Sequence, residues 1–157
     1  MLRLKSGRSH HRGFTLIELL IVVAIIGIIA AIAIPNLFSA LQKARQKRSM
    51  SDMRTVAGAL QVYAIDNGIF PRVGNTNALA LQPHLSNILK LPPSRDGWSN
   101  LMPYETDDGG SGFTLISLGS NNTADTPYTF GYTQRFRDDI VFSSTVFYQW
   151  PEGIQYK

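Results

Sequence analysis

The side chains that could perform nucleophilic, acid–base or metal chemistry are few in this 157-residue chain. It contains no cysteine and three histidines, of which His10 and His11 lie side by side near the N-terminus. Only His84 remains, and no metal-binding partner lies near it in the sequence. We therefore expect no thiolate site, Cys nucleophile, multi-His metal centre or His-based hydrolase. We interpret His84 as a surface or packing residue.

Four of the 11 acidic residues form two adjacent pairs, Asp107-Asp108 and Asp138-Asp139. Neighbouring side chains on a strand point to opposite faces, so adjacency does not by itself create a general acid–base pair. A membrane-tethered enzyme or ligand-binding domain is therefore poorly supported, and we predict that the chain is not an enzyme.

The formal net charge of +4 is concentrated at the N-terminus. Residues 1–13 carry four of the 15 basic side chains and no acid, and the other 144 residues carry 11 basic and 11 acidic side chains. Because the rest of the chain is neutral, the basic balance does not predict a nucleic-acid partner. The four basic residues are Arg3, Lys5, Arg8 and Arg12.

Residues 14–34 read FTLIELLIVVAIIGIIAAIAI, a nearly uninterrupted apolar run. As a helix this run would span about 31 Å, which matches the thickness of a bilayer's hydrocarbon core. The apolar region of an ordinary signal peptide is shorter and ends in a small-residue cleavage site, whereas Pro35 and Asn36 follow here. We predict a membrane-spanning helix.

Glu18 is the unusual residue of this run, since an acid inside a membrane helix is costly. One interpretation is a carboxylate that reaches the lipid headgroups. The other is a dedicated cationic partner, namely the α-amino group that a cut before Phe14 would create, in a neighbouring copy of the chain. Such an ion pair would set the register between copies more than it would add stability.

Residues 12–37, RGFTLIELLIVVAIIGIIAAIAIPNL, resemble the N-terminal motif of type IV pilins and type II secretion pseudopilins. The resemblance implies cleavage between Gly13 and Phe14 by a prepilin peptidase, N-methylation of Phe14, a subunit-registering role for Glu18 and a helix-bending role for Pro35. It also implies an inner-membrane protein with a cytoplasmic N-terminus and a periplasmic head, assembled into a periplasmic filament. The implied partners are further copies, minor pseudopilins and an inner-membrane assembly platform.

The predicted organisation has three parts: a cleaved basic leader (1–13), a transmembrane and filament-core helix (14–35), and an amphipathic helix with a globular pilin-like head (36–157). Apolar residues recur at helical spacing up to Asn67-Gly68, a helix stop, so we predict one helix over 14–66. Residues expected on its apolar stripe are Leu37, Phe38, Leu41, Ala44, Met53, Val56, Ala57, Leu60, Tyr63 and Ala64.

Residues 43–48 form a basic stretch that interrupts this stripe. It is either a solvated helix surface or a contact with anionic lipid or with an acidic groove of a neighbouring copy.

The remaining sequence predicts a small antiparallel sheet packed on the helix, so the fold class is α+β. Thr76 or Asn77 can cap a short helix over 78–89, provided that Pro83 lies in the first turn of a second helical piece. Aromatic and β-branched residues predict strands at 113–118, 128–132 and 140–148, and residues 105–112 read as a turn.

Three features favour the secretion pseudopilin branch over the pilin branch. The chain lacks the cysteines that close the C-terminal loop of many type IV pilins. The segment 91–98 (LPPSRDGW) with Tyr104 is similar to a segment before the sheet of major pseudopilins. Residues 113–122 with Asp138-Asp139 resemble that family's calcium loop.

This resemblance implies that Asp138 and Asp139 supply carboxylates to calcium, Asn121 an amide oxygen and Leu118 a backbone carbonyl, with Asp125 as an extra ligand. Calcium takes six to eight such oxygens, and its binding would order the loop. The family usually has Asp where this chain has Asn121. The alternative is that Asp138 pairs with Arg135 or Arg137 in a solvated turn.

The sequence therefore predicts a structural subunit of a type II secretion pseudopilus, which helps to export folded proteins across the outer membrane. The alternative is a type IVa pilin subunit for adhesion, motility or electron transfer.

Overall fold

The structure is a computed structural model that describes residues 13–156. The predicted leader therefore lies, apart from Gly13, outside the described residues. The chain divides into two compact units, one ending at Ser39 and one beginning at Ala40.

Helix α1 spans Leu16–Asn67 and continues through Pro35. Its first part has a mean hydropathy of 3.1 over 18 residues, long and apolar enough to cross a membrane. The helix ends where Gly68 takes a positive φ of 78° and its N–H donates to the Ala64 carbonyl oxygen at 2.8 Å. The predicted boundaries of 14 and 66 are correct to within two residues, because a glycine after the last turn is a strong stop.

The second unit contains one six-stranded sheet. Its strands are β1 Thr76–Asn77, β2 Pro103–Thr106, β3 Phe113–Ser117, β4 Gly131–Arg135, β5 Ile140–Ser143 and β6 Val146–Tyr156. They lie in the order β1-β2-β3-β5-β6-β4, and all neighbouring pairs are antiparallel except β4 and β6, which are parallel. The α+β class with a largely antiparallel sheet is therefore confirmed, and the parallel pair is a feature that the sequence did not predict.

The short helix predicted over 78–89 is two shorter pieces. A 3-10 turn, Ala78–Leu81, follows the side chain of Asn77, which accepts a hydrogen bond from the N–H of Leu79 at 3.1 Å. Helix α2, Gln82–Leu85, then carries Pro83 in its first turn, where a missing N–H costs nothing. His84 is exposed and its ring lies edge-on to that of Tyr63 at 5.8 Å, as a packing residue would.

The core of the second unit lies between α1 and the sheet. Its fully buried members come from α1, from the 3-10 turn and helix α2, from strands β2, β3 and β5 and from the residue before β2; they include Met53, Val56, Leu60, Leu81, Leu85, Met102, Tyr104, Leu115 and Ile140. The hydroxyl of Tyr104 donates to the Pro71 carbonyl oxygen at 2.9 Å, so this buried phenol is satisfied.

The buried face of α1 is partly polar, which corrects the predicted stripe. Gln42, Gln46 and Ser49 are buried, while Leu41 and Ala44 are exposed. Polar groups of the head explain the difference. The Trp98 indole N–H donates to Gln42 Oε1 at 2.7 Å, and Gln46 Nε2 donates to Gln155 Oε1 at 3.1 Å.

Candidate processing, assembly and ion-binding sites

Gly13 and Phe14 precede the first turn of α1 and are exposed. A Cβ placed on Gly13 would meet no atom within 4 Å. The bond between the two residues, where the resemblance implies cleavage, therefore lies in accessible, non-helical backbone.

Thr15 and Glu18 form a reciprocal cap at the start of α1. Glu18 Oε2 accepts hydrogen bonds from the Thr15 N–H at 2.9 Å and from its hydroxyl at 2.8 Å, and the Glu18 N–H donates to Thr15 Oγ1 at 3.3 Å. This is a capping box, and its signal in the sequence is the Thr-x-x-Glu spacing. Neither of the two interpretations drawn from the sequence, a carboxylate at the lipid headgroups or an ion-pair partner, includes this capping role.

The apolar side chains of the first unit are largely uncovered in the single chain. The exposed fraction is 82% at Phe14 and still 51% at Val22. Such a helix requires lipid or other protein to cover every face. The span is single, since α1 is the one helix among the described residues that is long and apolar enough to cross a membrane.

Asp139 is the most unusual acid of the head. Its side chain is fully buried, and its Oδ2 accepts a hydrogen bond from the Asp125 N–H at 2.9 Å. Its Oδ1 is buried without a hydrogen-bond partner. Burial raises the pKa of Asp139 to about 6, and the negative charges of Asp125 and Asp138 add to that rise, whereas the Asp125 N–H and the Tyr128 side chain act against it. An unpaired buried carboxylate oxygen of this kind needs either a proton or a cation.

Asp138 has a local partner of its own. Its Oδ2 accepts a hydrogen bond from the backbone N–H of Arg135 at 3.1 Å. Within residues 13–156 the only ion pair closer than 4.0 Å joins Arg48 and Asp52, so no side-chain salt bridge forms between Asp138 and Arg135 or Arg137. The predicted salt-bridged turn is therefore wrong in detail: a backbone N–H, rather than a guanidinium group, holds the carboxylate.

The loop that carries the other predicted ligands lies against this turn. Leu118 precedes the short 3-10 turn Gly119–Asn121. A Cβ on Gly119 would fall 2.3 Å from the Arg137 carbonyl oxygen and 2.9 Å from that of Asp138, so the two segments approach as closely as backbone permits. Asn121 is exposed, and its Oδ1 accepts a hydrogen bond from the Thr123 N–H at 3.4 Å.

The structure thus brings the predicted ion ligands into one region without arranging them around one point. Among residues 13–156 no three acidic or histidine side chains converge closely enough to hold a metal by themselves. The unsatisfied, buried Oδ1 of Asp139 is nevertheless the type of oxygen that a hard cation prefers.

The sequence and fold together define a pilin-like, single-pass membrane protein whose anchor helix carries a processing motif. Residues 8–34 match the prokaryotic N-terminal methylation motif, and residues 36–129 match the family described as type II secretion system (T2SS), protein G. The chain belongs to the type II secretion system protein G family.

Curated relatives agree over most of the chain. The type II secretion system core protein G of Klebsiella pneumoniae is 31% identical over 122 residues, covering 74% of this chain and 82% of that protein. That of Pseudomonas aeruginosa is 32% identical over 124 residues, covering 73% and 87%. That of Vibrio cholerae is 32% identical over 114 residues, covering 72% and 75%. These matches favour the secretion branch and give no support to the pilin alternative.

Proposed function

We propose that this protein is the structural subunit of a type II secretion pseudopilus, which polymerises from the inner membrane and helps to export folded proteins across the outer membrane. The observation that carries the proposal is an anchor helix with uncovered apolar faces, continuous with a head of the protein G family. The role is mechanical: the subunit supplies packing surfaces, and no chemistry is assigned to its side chains.

The proposed life cycle begins with the N-terminus in the cytoplasm and the head in the periplasm. A prepilin peptidase cuts between Gly13 and Phe14, and the new N-terminus is methylated. Cutting there leaves Glu18 four residues from a cationic amine, and the amine of a neighbouring copy then pairs with this carboxylate. The filament would be completed by minor pseudopilins and grown by an inner-membrane assembly platform.

A clean deletion in the native host tests the secretion role. We expect exported proteins to accumulate in the periplasm and to disappear from the culture supernatant, measured by proteomics of both fractions, while surface pili stay normal. Complementation with the wild-type chain should restore secretion. Unchanged secretion together with lost pili or twitching would overturn the proposal.

We also propose that the head binds calcium beside Asp139. The residues that would hold the ion are Asp139 and Asp138 through carboxylates, Asn121 through its amide oxygen and Leu118 through its carbonyl, with Asp125 as a further ligand. The support is the unpartnered buried Oδ1 and the close approach of the two loops. A bound cation would supply a positive charge beside the buried carboxylate of Asp139. It would also connect the segment after β3 to the segment before β5.

Thermal unfolding of residues 40–157 in calcium and in chelator tests this site. We expect calcium to raise the melting temperature of the wild type, and Asp139→Asn to abolish that rise because the amide removes the charged ligand. Asp108→Asn, an exposed acid elsewhere, is the matched control and should keep the rise. An equal calcium effect in Asp139→Asn, or none in the wild type, would count against the site.

A further inference from the structure

A group of four aromatic rings, three of them exposed and one half-buried, lies on one face of strands β4 and β6, at the edge of the sheet. Tyr148 and Trp150 are alternate residues of β6 and therefore point to the same face. Tyr132 of β4 is the register partner of Trp150. Phe130 directly precedes β4, and its ring centroid lies 5.6 Å from that of Tyr148 and 5.7 Å from that of Trp150. We call these four rings the aromatic face.

The aromatic face is unusually open for a soluble head. The exposed fraction is 70% at Phe130 and 62% at Tyr132, and apolar surface gathered in this way commonly marks a binding site. All four rings lie beyond residue 129, where the match to the protein G family ends. The family's shared properties therefore do not account for it.

Planar polar groups lie at one end of the aromatic face. A cavity of about 320 Å³ is lined by Tyr132, Gln134, Glu152 and Gly153. Its polar groups are held in place: the Trp150 indole N–H donates to Glu152 Oε2 at 3.1 Å, and Gln155 Nε2 donates to the Glu152 carbonyl oxygen at 3.0 Å. A ring, an amide and an oriented carboxylate thus share one opening.

This combination matches a sugar chain better than other partners. A pyranose ring offers C–H faces that pack on aromatic rings, and hydroxyl pairs that bond to carboxylates and amides. Among residues 13–156, Glu152 is the only charged side chain that lines the cavity, which disfavours nucleic acids and anionic lipids. An apolar protein surface would bury this carboxylate with the Trp150 indole N–H as its one named donor, whereas hydroxyl groups add further donors.

We propose that the aromatic face and its cavity bind an uncharged, β-linked polysaccharide. β-1,4-linked glucose and N-acetylglucosamine units carry their substituents equatorially, so flat C–H faces repeat along such a chain and can contact more than one ring of the aromatic face. The inference is independent of the secretion role, because it rests on residues outside the family match.

Isothermal titration of the full-length protein tests the proposal, in micelles of a detergent without a sugar headgroup. The probes are cellohexaose and chitohexaose, with α-linked maltohexaose as the ligand control. We expect binding of at least one β-linked probe in preference to maltohexaose, and a shift of the Trp150 indole N–H resonance but not that of Trp98.

Two exposed residues are then changed one at a time. Tyr132→Ala should weaken binding about fivefold because one stacking ring is lost. Glu152→Ala should weaken it about tenfold, since hydrogen bonds to a charged acceptor are lost. Leu91→Ala removes a 76% exposed apolar side chain elsewhere and should bind as the wild type does.

Three results would overturn the proposal. The first is no binding of either β-linked probe by the wild type. The second is equal affinity in the wild type and Tyr132→Ala, with matching thermal unfolding to show that both are folded. The third is a change of oligomeric state in Tyr132→Ala without sugar binding, which would assign the aromatic face to a second copy of the chain.

Discussion

The backbone N–H of Gly97 donates a hydrogen bond of 2.9 Å to the side-chain oxygen of Ser49. The loop before β2 therefore meets helix α1 with only the small side chain of Ser49 between them. A Cβ on Gly97 would lie 2.1 Å from the carbonyl oxygen of Arg45, a distance that no real contact allows. This contact explains why a serine, rather than an apolar residue, occupies the buried face of the helix here.

Gly97→Ala should destabilise the head by about 2–4 kcal/mol, because the added methyl group must push the loop off a rigid helix backbone. Ser49→Ala should cost less, about 1–2 kcal/mol, because it removes only the two hydrogen bonds of the hydroxyl, from the Gly97 N–H and to the Arg45 carbonyl oxygen. Urea unfolding of residues 40–157 measures both changes, since all core residues of the head lie within this segment.

The matched control is Gly58→Ala, at a helical glycine where an added Cβ meets nothing within 4 Å. Alanine favours the helix over glycine by about 1 kcal/mol, so this variant should be more stable than the wild type. Similar stability of Gly97→Ala and the wild type would show that the loop and α1 do not depend on this contact.

A second buried group in the same loop organises it from within. Asp96 Oδ1 accepts hydrogen bonds from the N–H groups of Trp98 and Asn100, both at 2.9 Å, and its Oδ2 accepts one from the Ser117 hydroxyl at 2.8 Å. Asp96→Ala leaves these three donors without their acceptor, and we expect a loss of about 2–4 kcal/mol in the free energy of unfolding.

Asp108→Ala is the control for that experiment, since Asp108 is exposed and its carboxylate makes no hydrogen bond within residues 13–156. Urea unfolding should place this variant within about 0.5 kcal/mol of the wild type. If Asp96→Ala were equally mild, the loop would be held by its contact with α1 rather than by the carboxylate.

The contacts of this loop also show where sequence reasoning succeeds and where it stops. The stripe of Met53, Val56 and Leu60 has the helical period, so its burial could be predicted. The burial of Gln42 could not be, because nothing local to a glutamine reveals a Trp98 indole 56 residues away. Polar partners brought together by tertiary structure leave no periodic signal.

Strand boundaries are likewise predicted only in part from the sequence. Residues 140–148 were predicted as one strand, but β5 and β6 meet in a hairpin at Ser144, which has a positive φ of 48°. The tight turn contains no glycine or proline, so it resembles strand in the sequence. The predicted turn over 105–112 wrongly includes Glu105 and Thr106, the last two residues of β2, because turn residues follow them directly. The fold brings the residues predicted as calcium ligands into one region. Their orientations depend on backbone contacts, such as that of Gly119, which the sequence does not reveal.

The metal-free head should become less stable as the pH rises, because Asp139 then loses the proton that it holds in the folded state. Its folded pKa of about 6 lies above the ordinary value of 3.8, so the folded state keeps its proton over a range where the unfolded chain has lost it. This contribution is fully present below pH 3.8, declines as the pH rises through 6 and is then lost. Denaturant unfolding in chelator, at several pH values between 4 and 7.5, measures it.

Asp139→Asn is the matched variant, because the amide cannot ionise and keeps nearly the same shape. Its stability relative to the wild type should increase from pH 4 to pH 7 in chelator. A constant difference between the two proteins across this range would mean that Asp139 titrates normally and that its burial is relieved in solution.

The two roles of Glu18, as a cap and as an ion-pair partner, can be separated with two substitutions. Glu18→Gln keeps an oxygen that can accept the Thr15 N–H and hydroxyl but removes the charge, whereas Glu18→Ala removes both. If the carboxylate pairs with the amine of Phe14 in a neighbouring copy, both variants should insert into the membrane and lower filament yield at least about tenfold. Membrane fractionation and counts of sheared filaments by electron microscopy measure these effects.

Thr15→Val is the control, because it weakens the cap and leaves the charge; it should assemble far better than either Glu18 variant. Near-normal filaments from Glu18→Gln would instead assign Glu18 to the capping box and leave the intermolecular ion pair without support.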